Sequence, residues 1–216
     1  MTNISKRLKA LVKFVDKEDS LVDVGCDHGL LSIYLAENKL CKSIVASDIN
    51  PNALNNAKEN IKKRNLNIKT YLSDGIDDIP LEGINGLIIS GMGSTTINHI
   101  LANDYALHKH NINKLIIQSN NDWQMLRECM NITGYYLEDE EYTFDKGKWY
   151  ITCYFIKSDK KNTKRELEFG YLKDKEYLNY LLDHYQKINK KIPLLSIKDK
   201  FKVLRKIRKI KAIINE

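Results

Sequence analysis

The chain has 216 residues, 43% hydrophobic and 29% charged, enough to bury the core of one ordinary domain with an appendage, or of two small domains. No run approaches the ~18 consecutive apolar residues of a membrane span, and the first twenty residues lack the apolar stretch and small-residue cleavage site of a secretory signal. The net charge of +7 is uneven: Lys157 to Glu216 hold 18 basic and 8 acidic residues, which leaves −3 for the first 156, the split expected of a near-neutral body with a tail for a polyanion or, more simply, of a lysine-rich solvated helix surface.

Ile4, Leu8, Leu11 and Val15 recur at helical spacing and predict a short amphipathic helix at the start. Five short β-branched runs follow, at 20–25, 43–49, 68–73, 86–91 and 114–119. Several are continuously apolar, as parallel strands covered on both faces are. Helical stretches alternate with them, one opening at Pro51 behind the capping residue Asn50, another closing at Gly134. Residues 135–156 read as two strands joined by a turn at Asp145-Lys146-Gly147. Five βα units closed by a hairpin make an α/β fold: a doubly wound, Rossmann-like sheet with an antiparallel edge. The polar segment 158–164 reads as a linker. Beyond it, Leu167, Tyr171, Leu178, Leu181, Tyr185 and Ile188 keep a 4-3 spacing, interrupted only at Asp174, until Pro193 breaks the helix, and Val203, Ile207, Ile210 and Ile214 resume it. The expected architecture is a domain over 1–157 and a basic helical hairpin, a small coiled coil, over 158–216.

Ligands of such sheets bind at the carboxyl ends of the strands. The first strand runs into Asp23-Val24-Gly25-Cys26-Asp27-His28-Gly29. Its Gly-x-x-x-Gly spacing lacks the pyrophosphate-binding pattern of a dinucleotide site, which argues against a dehydrogenase and suits a nucleoside. Asp23 is placed to hold an ammonium group. Asp48, with Ile49 beside it, ends the second strand where a carboxylate accepts ribose hydroxyls; Asp74, followed by Gly75, ends the third, within reach of an adenine amino group. Any one of these acids could simply cap a helix, but three in register outline a pocket for an adenosyl amino acid, that is, S-adenosyl-L-methionine.

The segments SKRL, DVGCDHGLLSIYL, SDIN, SDGI, ISGMGS, IIQSN and DKGKWYITCYF together resemble the TrmK family, bacterial methyltransferases acting on N1 of adenine 22 in tRNA. The resemblance spans essentially the whole chain. It departs from the family's usual GMGG and QPN, with GMGS and QSN here, and has Asp48 where glutamate is common. It implies that Gly25, Asp48, Asp74 and Gly91 line the cofactor site, that Met92 and Gly93 shape the mouth where methyl meets base, and that Gln118 and Asn120 meet an adenine edge.

The chain has Ser90-Gly91-Met92-Gly93 where enzymes methylating exocyclic amines often carry Asn/Asp-Pro-Pro-aromatic. Adenine N1 has an in-plane lone pair and needs no deprotonation before attack, so positioning and desolvation carry much of the catalysis. Asp27 is the candidate to stabilise the cationic product and His28 to position the base or take a proton; a helix-capping Asp27 and a packed His28 are the plainer alternative. N1 is blocked in a duplex, so the base must be unpaired or flipped. The dense basic patch, including Arg205, Lys206, Arg208 and Lys209, is suited to tRNA phosphates. The scattered Cys26, Cys41, Cys129 and Cys153, without CxxC pairs or clustered histidines, predict neither a metal site nor disulfides and fit a reducing cytoplasm. A monomer is the expected state. A methyltransferase for protein, small molecule or another RNA, and a non-catalytic RNA-binding relative, remain the competing readings.

Overall fold

A computed structural model describes residues 2–102, 107, 109–172, 174–193 and 196–215. Its strands are β1 (Ser20–Val24), β2 (Ser43–Asp48), β3 (Lys69–Leu72), β4 (Gly86–Met92), β5 (Lys114–Ser119), β6 (Tyr135–Asp145) and β7 (Lys148–Lys157). The helices are α1 (Lys6–Val12), α2 (Leu30–Glu37), α3 (Pro51–Lys62), α4 (Ser94–Leu101), α5 (Trp123–Ile132), α6 (Lys164–Phe169), α7 (Lys175–Lys191) and α8 (Ile197–Ile214).

The seven strands form one sheet in the order β3-β2-β1-β4-β5-β7-β6. The first five are parallel; β7 runs antiparallel to both β5 and β6. The order reverses direction at β1, so β1 and β4 diverge to either side and leave a crevice above their carboxyl ends. All five residues of β1 are buried, as are Leu87, Ile88 and Ile89 of β4 and Leu115, Ile116 and Ile117 of β5. That two-sided burial is the reason these runs are apolar without alternation.

Local chemistry sets the element ends. Asn50 caps α3, its side chain accepting from the backbone N–H of Asn52 at 2.9 Å, with Pro51 in the first turn. The β6–β7 turn places Lys146 and Gly147 both at positive φ, 49° and 80°, the primed two-residue turn that matches strand twist. Between β3 and β4, residues 73–85 form turns without a helix, so the third strand is not followed by a βα crossover of the expected kind.

The chain divides into two compact units, Met1–Gly170 and Tyr171–Glu216. The first extends past the expected boundary at 157. Asn162 accepts from the backbone N–H of Leu137 at 2.9 Å, Thr163 and Glu166 form a capping box on α6, and Phe169 is buried. The 4-3 run from Leu167 to Ile188 is therefore not one helix. Gly170 stands at φ 73°, ψ −159°, a region open to glycine alone, and Asp174 caps the next helix by accepting from the Tyr177 N–H. In the second unit α7 and α8 pack on each other, burying Tyr177, Leu178, Ile207 and Ile210. Lys191 ends α7 two residues before Pro193, whose ring disfavours helical geometry in the residue before it.

Candidate active site

One cavity of about 500 Å³ opens at the carboxyl ends of β1–β4. Asp23, Gly25, Asp27, His28, Asp48, Ile49, Asp74, Gly75, Gly91 and Met92 all line it. Ten residues named from sequence, spread over seventy positions, thus converge on one concave surface because four parallel strands deliver their ends to it.

Its floor is electrostatically tense. Asp23 is 3% exposed and accepts a 2.6 Å hydrogen bond from the Ser32 hydroxyl. Burial pushes its carboxyl up to about 6, with the Ser32 bonds opposing that shift and the nearby Asp48 charge adding to it. Asp48 accepts from the backbone N–H of Asp27 at 2.9 Å and of Asn50 at 2.9 Å, so one carboxylate ties the loop after β1 to the end of β2. Gly25 has φ +73°, and a Cβ there would overlap the Met92 methyl. The positive φ favours glycine here, and the end of the Met92 side chain occupies the space a Cβ would take.

Asp27 lies at φ 52° with its side chain 75% exposed, and its Oδ1 is 3.6 Å from His28 Nε2. It does not cap α2. The residue at that cap is Gly29, and no side-chain bond closes the helix end. Ile49, 63% exposed, offers an apolar wall at the cavity lip.

Gln118 is placed otherwise than expected, while Asn120 and Gly93 lie on the loops beside the cavity, outside its lining. Gln118 is fully buried; its Nε2 donates to Thr152 Oγ1 at 2.7 Å and to the Arg7 carbonyl at 3.1 Å, and its Oε1 accepts from Arg7 Nη1 at 3.3 Å. With its amide spent inside the protein, no edge is left for a base. Asn120 Nδ2 donates to the Gly91 carbonyl at 2.7 Å, and its backbone N–H to that of Met92 at 2.8 Å, which fixes the loop after β4. Gly93 is the cap position of α4, where Asn121 supplies from the neighbouring loop the oxygen that accepts the Ser94 N–H at 3.0 Å. Of the basic patch, Arg205 and Arg208 are exposed, whereas Lys206 Nζ lies 3.2 Å from the Tyr185 hydroxyl, against that ring. These three and Lys209 belong to the second unit.

Sequence reasoning missed Arg7, which lines the cavity from α1. Its only signal was its place in the SKRL segment; that α1 lies against β5, β6 and β7 is a tertiary fact. Among the described residues no group of three or more His, Cys, Asp or Glu side chains could hold a metal, and no helix is long and apolar enough to cross a membrane.

A parallel sheet reversing at β1, an antiparallel β7, and an acid at the end of each of the first three strands define a nucleoside-binding α/β protein of the class I methyltransferase type. The methyltransferase domain family matches residues 4–152, and the chain belongs to that family. A Mycoplasma genitalium protein provisionally named a tRNA methyltransferase is 30% identical over 194 residues, 85% of each chain. The structure of M. capricolum TrmK with S-adenosyl-homocysteine superposes with a TM-score of 0.85 at 30% identity, covering 98% of both chains. A Streptococcus pneumoniae protein, provisionally described as a tRNA (m1A22) methyltransferase and solved with S-adenosyl-L-methionine, gives 0.84 at 27% identity, over 98% of this chain and 100% of that one.

Proposed function

We propose that the protein transfers a methyl group from S-adenosyl-L-methionine to N1 of an adenine in tRNA, at position 22, as a cytoplasmic monomer. The observation that carries this is the single cavity joining Asp23, Asp48 and Asp74 to the Gly91–Met92 loop, in a chain that matches cofactor-bound relatives from end to end.

The cavity fits the cofactor by its donors and acceptors. Buried Asp23, on the floor beside Gly25, suits an ammonium group. Asp48 suits the ribose hydroxyls, Asp74 and Gly75 the adenine, and Ile49 its face. When bound, the cofactor supplies an electrophilic methyl on a sulfonium; the remaining work falls to this chain. Asn120 holds the Gly91 and Met92 carbonyls and so fixes the mouth through which a flat base enters. Adenine N1 attacks with its in-plane lone pair, and the positive charge it acquires is met by Asp27, which a helix-capping duty does not occupy. His28, beside Asp27, orients the base. Covering both side chains with RNA desolvates them and strengthens that interaction.

The test is incubation with methyl-labelled cofactor and unmodified tRNA carrying adenine 22, followed by mass-spectrometric mapping. The expected product is 1-methyladenosine at that position. Cofactor binding without that product sends the substrate elsewhere. Asp27→Asn is expected to lower kcat about 100-fold while cofactor affinity stays within twofold; an unchanged kcat removes Asp27 from the chemistry.

A further inference from the structure

We infer that Arg7, held by Gln118 and Tyr150, is an anion-binding residue for an RNA phosphate adjacent to the target adenosine, and that the β6–β7 hairpin tip extends this contact along the strand. The inference rests on the reading of tRNA as substrate.

Arg7 is half-buried at the cavity wall. A Cβ at Gly91, on the loop that shapes the mouth, would lie 3.8 Å from its Nη1. The guanidinium is fixed from two sides. Fully buried Gln118 accepts from Nη1 at 3.3 Å, and the Tyr150 ring lies 5.6 Å from its Cζ. The nearby Asp145 carboxylate takes the Arg7 backbone N–H at 3.1 Å instead, and among the described residues the guanidinium forms no ion pair. An arginine whose fork is preorganised, whose charge is unmatched and which faces a ligand cavity is built for a planar or tetrahedral oxyanion.

The direction of the positive charge favours phosphate over the cofactor's carboxylate. Lys148 Nζ lies 5.3 Å from the centroid of the same Tyr150 ring, so two cations share one aromatic platform. Lys146, exposed, sits in the adjoining turn. Arg7, the Tyr150 ring and Lys148 thus lie together on one face of the hairpin, two cations about one aromatic ring, an arrangement suited to the phosphates of a nucleic-acid strand. A cofactor carboxylate needs one cation inside the cavity and gives no use to the rest. Gln118 acts through Arg7 and is a positioning residue.

The test uses the full chain with Arg7→Ala, Arg7→Lys, Gln118→Leu and Lys148→Ala, each checked by thermal melting. Affinity for S-adenosyl-homocysteine is measured by calorimetry, and kcat and KM for tRNA over a range of salt. Arg7→Ala is expected to raise KM for tRNA about tenfold and to shallow the logarithmic salt slope by ~0.7 to 0.9, with S-adenosyl-homocysteine affinity within twofold. Arg7→Lys should recover part of the loss, because charge is kept and the fork is not. Gln118→Leu should raise KM with kcat retained, and Lys148→Ala should raise it about threefold. An Arg7→Ala enzyme with unchanged KM and salt slope overturns the inference. So does a tenfold loss of S-adenosyl-homocysteine affinity at unchanged tRNA KM, which would assign the arginine to the cofactor's carboxylate. Failure of the unsubstituted enzyme to methylate tRNA is seen before any variant is made, and overturns the substrate reading itself.

Discussion

At the scale of single residues, the site keeps a charge where burial opposes it. Asp23 is held at about 6 chiefly by desolvation, above the ordinary carboxylate value of 3.8. A carboxyl raised on folding contributes stability that is fully present below its unfolded value and lost as pH rises through the folded one. The ionised form that an ammonium ligand needs is therefore the form that destabilises the empty protein. Asp23→Asn should stabilise the free chain at pH 8 by roughly 1 to 3 kcal/mol, since each tenfold change in proton affinity is worth about 1.4 kcal/mol, and the advantage should vanish toward pH 4. Urea melts of both proteins across this range check it. In parallel, S-adenosyl-homocysteine affinity of the unsubstituted protein should weaken as pH falls below about 6, while the asparagine variant binds weakly throughout and shows no such step. An asparagine variant with unchanged affinity would remove Asp23 from the ammonium site. This is the familiar opposition between stability and function, located in one carboxylate.

At the scale of elements, the distal edge of the sheet is fastened by a buried ion pair that no sequence pattern announced. Arg127 of α5 and Glu140 of β6 are both nearly inaccessible, with Nε 2.7 Å from Oε1, and the Tyr142 hydroxyl donates to the other carboxylate oxygen at 2.6 Å. Burial alone would lower the Arg127 pKa; the charge and hydrogen bond of Glu140, together with the neighbouring Cys153 and Tyr142 groups, more than reverse that. Removing one partner leaves an uncompensated charge, so Arg127→Leu should cost about 3 to 5 kcal/mol in chemical denaturation, much of it recovered in the double variant with Glu140→Leu. Neither residue lines the cavity, and S-adenosyl-homocysteine affinity of the folded fraction should stay the same. Gly170 lies over this pair, and a Cβ there would overlap the Glu140 carboxylate, which is why the helical spacing around Leu167 and Tyr171 misled. Periodicity sees apolar positions and is blind to a positive φ imposed by a partner thirty residues away. The same limit explains Gln118. Its place at a strand end was legible, but the groups that consume its amide, Arg7 and Thr152, lie far off in sequence. By contrast, β1 to β5, the Lys146-Gly147 turn and the strand-end acids were readable, because continuous apolar runs, turn chemistry and the geometry of a parallel sheet are local rules that tertiary packing did not override. The α1 face was readable too, yet what it covers was not.

For the molecule as a whole, charge is segregated by unit. Residues 171–216 carry 13 Lys or Arg against 5 Asp or Glu, whereas the residues that line the cavity belong to the first unit. Such a division suits a catalytic body that reads the target nucleotide and a basic unit that adds sequence-independent affinity for the backbone. The contributions within the basic patch are unequal. Arg205 and Arg208 are exposed, whereas Lys206 is engaged with Tyr185 across the two helices. Arg205→Gln with Arg208→Gln should therefore weaken tRNA binding about tenfold at moderate salt and shallow the logarithmic salt slope by roughly 1.5, since each lost phosphate contact on RNA removes ~0.7 to 0.9 of counterion release. Binding of S-adenosyl-homocysteine and the melting temperature should be unaffected. Lys206→Gln should do the reverse, lowering the melting temperature through the lost α7–α8 contact more than it weakens tRNA binding. Filter binding at four salt concentrations, read beside thermal melts, separates the two. If the arginine pair changes neither affinity nor slope, the basic unit is a solvated surface, and tRNA is held by the catalytic unit alone.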